Sequence, residues 1–234
     1  MKGLVIALQF LTRLPMPRMT MNDGDFARSM RWFPAAGLVI GALVAGVAAL
    51  GLRIDSWTAA LCALLAWVGV TGGLHLDGLS DLADARGAAH QDRARFLAVM
   101  ADPHVGSFGV MAIALQLIAK LVLLHALEET GDLWPLVLIP CAARIGPLFW
   151  TLWLPPLHAG LGAQFRHGVA PRHLVVWIVA LTASAPFYPA ILAAPVLILL
   201  WSLWLKRHVG GISGDCHGAG IELVETGLLV ALLL

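Results

Sequence analysis

Charged residues are scarce in this sequence. Asp, Glu, Lys and Arg together make up 12% of its 234 residues, about half the share found in ordinary soluble domains. This shortage argues against a water-soluble fold, because a soluble surface of this size needs more charge. The net charge of +1 gives no sign of a nucleic-acid partner. Hydrophobic residues reach 59%, and the mean hydropathy of +0.84 predicts that the chain lies in a lipid bilayer.

Cysteine is rare as well, and Cys62, Cys141 and Cys216 show no C-x-x-C spacing. The sequence therefore lacks the zinc and redox sites that this spacing marks. We expect Cys62 and Cys141 to be small buried residues and Cys216 to lie in a polar loop. None of the nine His belongs to an H-E-x-x-H pair, and no G-K-[ST] sequence closes a Walker A loop. Nine Trp against one Tyr are typical of aromatic anchors at a membrane interface.

Long apolar runs dominate what is present. A bilayer core of about 30 Å needs roughly 20 apolar residues per helix, which predicts an all-α, polytopic membrane bundle forming one domain over residues 1–234. Pro186 and Pro189 mark either a turn between two spans or a kink in one, so six spans are the alternative to seven. The N-terminal run GLVIALQFL has no small-residue cleavage pattern, and we expect it to be retained. The seven predicted spans are 34–52, 57–74, 105–126, 133–154, 173–187, 189–205 and 219–234.

Basic residues are distributed unevenly between the two sides of this arrangement. With seven spans, all of the 15 basic residues except Arg53, Lys120 and Arg144 fall on one side, and the other side carries the acidic EETGD loop. Cytoplasmic loops are enriched in Lys and Arg. We therefore expect a multi-pass protein whose N-terminus and polar loops face the cytoplasm.

The stretch HLDGLSDLADARG, residues 75–87, is the first polar loop. Asp77, Asp81 and Asp84 are four and three residues apart, so on a helix they share one face. Three carboxylates on one face repel each other unless protons or a cation neutralise them. Asp oxygens suit Mg²⁺, which binds few carboxylates together with phosphates and water. His75 is placed to contact phosphate, to transfer a proton or to orient an Asp. The alternative is a solvated acidic helix end.

Two further polar loops contain glycine. In MADPHVGSFGV, residues 100–110, the candidates for substrate binding are Asp102, His104, Gly106 and Ser107, because small residues let backbone amides approach a phosphate before a helix. An ordinary helix cap explains the same pattern.

In HVGGISGDCHGAGIELVETG, residues 208–227, the candidates are Gly214, Asp215 and His217. A Gly-rich turn before a helix can cradle a phosphate or ribose, and a flexible loop is the alternative.

Two basic residues, Lys120 and Arg144, fall inside predicted spans. Charges within a membrane are costly and usually face a polar interior. Arg144 is a candidate phosphate ligand, and Lys120 either has such a role or extends to the membrane surface. Glu222 and Glu225 are expected to open the last span, where acids suit a helix N-terminus.

Six motifs occur in order along nearly the whole chain: ALQFLTRLPMP (7–17), RWFPAAGLVIG (31–41), HLDGLSDLAD (75–84), DPHVGSFG (102–109), ARIGPLFW (143–150) and GISGDCHGA (211–219). Together they resemble the adenosylcobinamide-GDP ribazoletransferase, or cobalamin synthase, family. The chain departs from the family pattern in all three polar loops. ADARG (83–87) stands where the family often has ADG, and Pro103 and Ser107 stand where Ser and Thr are common. Ser213 stands where Thr is common and keeps the hydroxyl, and His104 stands where Arg is common.

The resemblance implies an inner-membrane enzyme that uses Mg²⁺. Its reaction joins α-ribazole, or α-ribazole 5′-phosphate, to adenosylcobinamide-GDP, giving adenosylcobalamin, or its 5′-phosphate, and GMP. On this basis we expect Mg²⁺ on Asp77, Asp81 and Asp84. Asp84 or His75 would accept the proton of the attacking hydroxyl, and Arg144 would stabilise the leaving GMP. The number of subunits stays open between a monomer and a homo-oligomer.

The sequence also leaves other functions to compare. CDP-alcohol phosphotransferases and membrane prenyltransferases use Asp-rich metal sites. The first class carries a longer motif than D-x3-D-x2-D, and the second carries two Asp-rich motifs where this chain has single Asp residues among Gly. A transporter would scatter its polar residues near the membrane midplane, whereas here they cluster at one predicted face.

Overall fold

The computed structural model describes residues 2–17, 19–22, 24–89, 92–158 and 164–234. Within these ranges the secondary structure is helical, with one isolated backbone bridge between Pro156 and Ile212. The predicted all-α fold class is confirmed. Short 3₁₀ turns cover Met30–Trp32, Phe165–His167 and Pro189–Leu192. The α-helices are α1 Lys2–Leu11, α2 Asp25–Ser29, α3 Phe33–Gly51, α4 Ser56–Thr71, α5 Leu74–Ala88, α6 Arg93–Met100, α7 Ser107–Glu128, α8 Trp134–Ala143, α9 Ile145–Trp153, α10 Pro171–Ser184, α11 Ala193–His208 and α12 Gly214–Leu233.

Five helical segments of the described chain are long and apolar enough to cross a bilayer. The pair α4 and α5 makes a sixth if the two helices are counted as one bent span. The structure thus supports a membrane protein with five or six spans, and the predicted seven are not confirmed. The five segments are Asp25–Gly51, Ser107–Glu128, Trp134–Trp153, Pro189–His208 and Gly214–Leu233.

Helices α4 and α5 meet at an angle of 83°. The bend is formed by Gly72 and Gly73, whose φ angles of 62° and 71° lie in the left-handed region that favours glycine. The amide of Gly73 donates to the carbonyl of Val68 at 3.1 Å, which closes the end of α4. The bend separates the apolar helix α4 from the acidic helix α5, so the helix that carries the Asp residues runs in a different direction from α4.

The predicted fifth span corresponds to α10, which is short. Its 14 residues extend about 21 Å at 1.5 Å per residue, less than a hydrocarbon core of about 30 Å. The chain turns at Ser184, before Pro186. Beyond the turn, the Tyr188 hydroxyl donates to the carboxylate of Asp132 at 2.8 Å. This segment therefore reaches the same end of the bundle as the acidic loop before α8, and a seventh crossing stays a prediction.

Helix α12 lies at the centre of the bundle, in contact with α5, α7, α8, α9 and α11. More than half of its residues are buried. Its first turns, GDCHGAG, are rich in small residues, which lets neighbouring backbones come close. The helix begins at Gly214, five residues before the predicted span, so Asp215 and His217 belong to the helix instead of a loop. This central position brings both residues beside α5.

Candidate active site

The first two polar segments are joined by Asp84. Its carboxylate is 7% exposed, and its two oxygens accept hydrogen bonds from the backbone amides of Gly106 and Gly109 at 2.7 and 2.9 Å. A β-carbon added at either glycine would collide with this carboxylate. Asp84 therefore fastens the second polar loop and the start of α7 to α5.

The third polar segment meets α5 through close backbone contact. A β-carbon at Gly78 would lie 2.8 Å from Cα of Asp215, and one at Gly218 would lie 3.2 Å from Cα of His75. These distances leave room at Gly78 for glycine alone. As a result, Asp215 lies within electrostatic range of the Asp81 carboxylate, as do Asp77 and Asp84. The fold thus brings together carboxylates that are about 130 residues apart in the sequence.

A cavity of about 220 Å³ opens between α1, α5 and α12. We call it the polar cavity after the four polar side chains in its wall, which is otherwise mostly apolar. His75, Asp77, Asp215 and His217 line it, and both histidines are buried. The site thus presents carboxylates and imidazoles beside a surface suited to the apolar part of an organic substrate. That surface includes the rings of Phe10, Phe33 and Phe165.

The three Asp residues of α5 differ in exposure: Asp77 is exposed, Asp81 is intermediate and Asp84 is buried. In the described part of the chain, no three His, Cys, Asp or Glu side chains converge closely enough to hold a metal ion by themselves. Asp77 and Asp215 nevertheless share the wall of the polar cavity. Mg²⁺ commonly binds one or two carboxylates and takes its other ligands from water and substrate phosphate. This donor set therefore fits Mg²⁺ held together with a phosphate substrate.

Lys120 and Arg144 belong to a buried ionic network. The Lys120 ammonium lies 2.7 Å from Oε2 of Glu222 and 2.6 Å from Oε2 of Glu225, and Arg144 Nη1 donates to Oε1 of Glu225 at 2.9 Å. None of the four side chains is more than 5% exposed. Two cations face two carboxylates, so the charges balance. Lys120 therefore faces a polar interior and does not extend to the membrane surface.

Arg144 lies behind the polar cavity. It is completely buried and is not among the residues that line the cavity. Its Nη2 lies 3.4 Å from Nδ1 of His75. The structure therefore places Arg144 against His75 and Glu225, behind the wall of the polar cavity.

Two members of this network, Glu222 and Glu225, lie elsewhere in the last helix than the sequence predicts. Glu222 and Glu225 were expected to open the last span, and this expectation is wrong because α12 begins at Gly214 and carries them in its interior. Their spacing of three residues was the available signal, since it puts both carboxylates on one helix face. This spacing indicates a buried ionic network only when it is considered together with Lys120, the single Lys inside a predicted span.

The remaining candidates of the second loop lie at the surface. Asp102 Oδ1 accepts a hydrogen bond from the His104 amide at 3.0 Å and lies 2.7 Å from its ring Nδ1. The contact with the His104 ring and the bond from its amide lower the pKa of Asp102. Both residues are exposed, as is Ser107 at the start of α7. Of this group, the structure brings only Gly106 into contact with α5 through a hydrogen bond to Asp84.

The third loop is ordered by Ser213, the N-cap of α12. Its hydroxyl accepts from the amide of Cys216 at 3.2 Å and donates to Oδ2 of Asp215 at 3.3 Å. Just before it, the amide of Ile212 donates to the carbonyl of Pro155 at 2.9 Å. Cys216 is buried in the first turn of α12, so its expected place in a polar loop is wrong. The exposed Gly214 is the first residue of this helix.

Comparison with known proteins decides the family. The family model described as cobalamin-5-phosphate synthase matches residues 3–233. The chain belongs to this family. A relative from Novosphingobium aromaticivorans is 62% identical over 99% of this chain and 96% of its own length. One from Thiobacillus denitrificans is 50% identical over 98% of this chain and 94% of its own. Both carry the name adenosylcobinamide-GDP ribazoletransferase.

The resemblance seen in the sequence motifs is therefore confirmed, and it extends over residues 3–233. No solved structure matches the chain. The contacts between the three polar segments define the geometry of the candidate site.

Proposed function

We propose that the protein joins α-ribazole, or α-ribazole 5′-phosphate, to adenosylcobinamide-GDP and releases GMP. The observation that carries this proposal is similarity to ribazoletransferases along the full chain, at 62% identity to the relative from Novosphingobium aromaticivorans. The site agrees with it, because the first and third polar segments line one cavity and the second is bound to α5 through Asp84. A pyrophosphate donor needs both charge neutralisation and hydrogen-bond donors. The imidazoles of this cavity can donate hydrogen bonds, and its carboxylates would hold the Mg²⁺ that neutralises the charge.

Asp77 and Asp215 are the residues that we propose to hold Mg²⁺, with Asp81 beside them. Bound there, Mg²⁺ would neutralise the pyrophosphate and the charge that develops on the leaving GMP. We assign Asp84 a positioning role in place of metal ligation or proton transfer. Both of its oxygens already accept backbone hydrogen bonds, and releasing them would free the second loop from α5.

The transfer itself is a displacement at phosphorus. The 3′-hydroxyl oxygen of the ribazole forms a bond to the phosphorus attached to cobinamide, the bond from that phosphorus to the bridging oxygen breaks, and GMP leaves with that oxygen. We propose Asp81 as the acceptor of the hydroxyl proton, because it is partly exposed and lies within electrostatic range of the cavity carboxylates Asp77 and Asp215. The protein's main contribution is then to hold both substrates in line and to balance charge.

We also propose that the polar end of the bundle faces the cytoplasm from the inner membrane. Arg86 and Arg93 support this orientation. Their guanidinium groups donate to the carbonyls of His208 and Val209, at the same end as the site, and basic residues are enriched on cytoplasmic loops. Labelling of single Cys variants in intact cells tests the orientation. A Cys at the exposed His104 should be protected from a membrane-impermeant reagent, and one at the exposed Ile54 should react.

The reaction is tested by GMP release from the purified protein in detergent or liposomes. Adenosylcobinamide-GDP is supplied with Mg²⁺, with and without α-ribazole 5′-phosphate, and the corrinoid product is identified by mass. We expect GMP and the joined product only when donor, acceptor and metal are all present, and strong loss of both in Asp81→Asn. The exposed Asp92→Asn is the matched control, because Asp92 caps α6 and is not among the carboxylates that act on Asp81.

Folded protein that releases no GMP would contradict the proposal. CDP-alcohol and prenyl-diphosphate donors would then be tested in the same preparation. Product formed with full activity after chelation of divalent metal would contradict the metal assignment alone.

A further inference from the structure

His75 is buried between a cation and the polar cavity. One ring nitrogen, Nδ1, lies 3.4 Å from Nη2 of Arg144. The other, Nε2, is buried and finds no hydrogen-bond partner among the described residues. His75 is 3% exposed and is one of the residues that line the cavity. A buried polar nitrogen without a partner is costly, and at a cavity wall it indicates a ligand that completes the hydrogen bond.

The contact with Arg144 determines which nitrogen carries the proton. A guanidinium group donates hydrogen bonds and accepts none. Nδ1 of His75 must therefore be the acceptor in this pair. In the neutral imidazole one nitrogen is then bare and the other protonated, so the proton lies on Nε2. The side chain thus offers an N–H group at the cavity and has no free lone pair there.

The guanidinium of Arg144 is itself fixed in place. Its Nη1 donates at 2.9 Å both to Oε1 of Glu225 and to the carbonyl of Pro140. Oε2 of Glu225 is bound in turn by Lys120 at 2.6 Å. A charge held on two sides by buried partners has little freedom to turn, so it determines the orientation of the imidazole next to it.

We propose that Glu225 and Arg144 are positioning residues that fix His75 as a hydrogen-bond donor, and that its Nε2–H binds a phosphoryl oxygen of the substrate in the polar cavity. This inference rests on the proposed transferase function. It changes the role of His75 from a candidate proton acceptor to a substrate-binding donor. Asp77 shares the same cavity wall, so a phosphoryl oxygen bound to His75 lies beside the proposed metal ligands.

Two substitutions at His75 separate donation from proton acceptance. The side-chain amide of His75→Gln reaches approximately the place of Nε2 and donates a hydrogen bond, but it is a very weak base. We expect His75→Gln to keep kcat/KM for adenosylcobinamide-GDP within about 10-fold of the unsubstituted protein, and His75→Ala to lose about 100-fold, the range for a hydrogen bond to a charged group. Thermal unfolding in detergent identifies any variant that fails to fold.

Each outcome of this comparison has a definite meaning. If folded His75→Gln is as inactive as His75→Ala, a proton-accepting role stands and the proposal is overturned. If both variants keep full activity, His75 does not bind substrate and the proposal is overturned as well. If the unsubstituted protein shows no GMP release, the proposed function fails, and the tautomer is then decided by spectroscopy.

Nitrogen-15 NMR of histidine-labelled protein identifies the tautomer of His75 and does not depend on GMP release. His75→Gln removes one set of signals and so assigns them to His75. We expect a protonated Nε2 and a bare Nδ1 in the unsubstituted protein, and a shift toward a mixture of tautomers in Arg144→Met. A protonated Nδ1 in the unsubstituted protein would overturn the proposal whatever the activity of the variants.

Discussion

The ammonium group of Lys120 lies 2.6 Å from Oε2 of Glu225, and the two side chains are 3% and 0% exposed. Lys120 also lies 4.6 Å from the ring centroid of Trp67 in α4. This pair therefore ties α7 and α12 together in the middle of the bundle. Burial makes it sensitive to loss of one partner, because the other is then left as an unpaired charge in a low-dielectric interior.

Lys120→Met should consequently lower the free energy of unfolding by about 3–5 kcal/mol, the usual cost of breaking a buried ion pair. The double variant Lys120→Met/Glu222→Gln should be more stable than the single variant, since one cation and one carboxylate then remain matched. Lys206→Met, at an exposed position, is the control. Denaturant unfolding in detergent measures all three. Equal stability of the single and double variants would contradict the charge-balance argument.

Because α5 and α12 are in close contact, a single methyl group added at Gly78 should strongly reduce GMP release. In Gly78→Ala the added carbon would lie 2.8 Å from Cα of Asp215, so the two helices must separate. A displacement of about 1 Å between catalytic groups costs on the order of 100-fold in rate, which is the expected loss of GMP release. Gly69→Ala, a helical position with nothing within 4 Å, should keep full activity. Equal activity of the two variants would show that the close approach is not required.

Asp84→Asn should loosen the second polar loop. An amide has one acceptor oxygen where the carboxylate has two, so one of the amides of Gly106 and Gly109 would lose its partner. We expect a loss of about 1–3 kcal/mol of stability in this region and faster hydrogen exchange over residues 102–110. Asp92→Asn, at the exposed N-cap of α6, should leave exchange over those residues unchanged. Normal protection in Asp84→Asn would disprove the positioning role.

Substitution of the proposed metal ligands Asp77 and Asp215 should change the Mg²⁺ concentration that GMP release requires. Asp77→Asn and Asp215→Asn should each raise the Mg²⁺ concentration for half-maximal GMP release by at least about 10-fold, because each removes one of the few carboxylates that the ion contacts. Asp92→Asn, at the exposed N-cap of α6, should not change it. The titration is done at saturating donor and acceptor. An unchanged Mg²⁺ requirement in Asp215→Asn would restrict the metal site to α5.

Removal of the Ser213 hydroxyl should cause a small loss of stability. Ser213→Ala removes the N-cap of α12 and the hydroxyl that contacts Asp215, and caps contribute about 1 kcal/mol. Ser213→Thr keeps the hydroxyl and should behave as the unsubstituted protein. Both are compared by thermal unfolding and by GMP release. Loss of activity in Ser213→Ala beyond its loss of stability would show that the hydroxyl also orients Asp215.

Composition and motif order were enough to predict the class of fold and the family. Scarce charge and long apolar runs indicate membrane helices because a bilayer tolerates few other structures. The spacing of Asp77, Asp81 and Asp84 indicates one helix face because helical periodicity is a local property. These features depend on residues close together in the chain, which is why they can be read without a structure.

What only the tertiary structure decided was the partner of each charged group. Asp84 proved to hold two amides more than 20 residues away, and Arg144 proved to contact His75 and Glu225 behind the cavity. Such partners depend on how helices that are distant in the sequence pack together, and no local sequence pattern shows which of them come into contact. The number of spans was ambiguous for the same reason, since a bend at Gly72 and the short helix α10 depend on the neighbours that surround them.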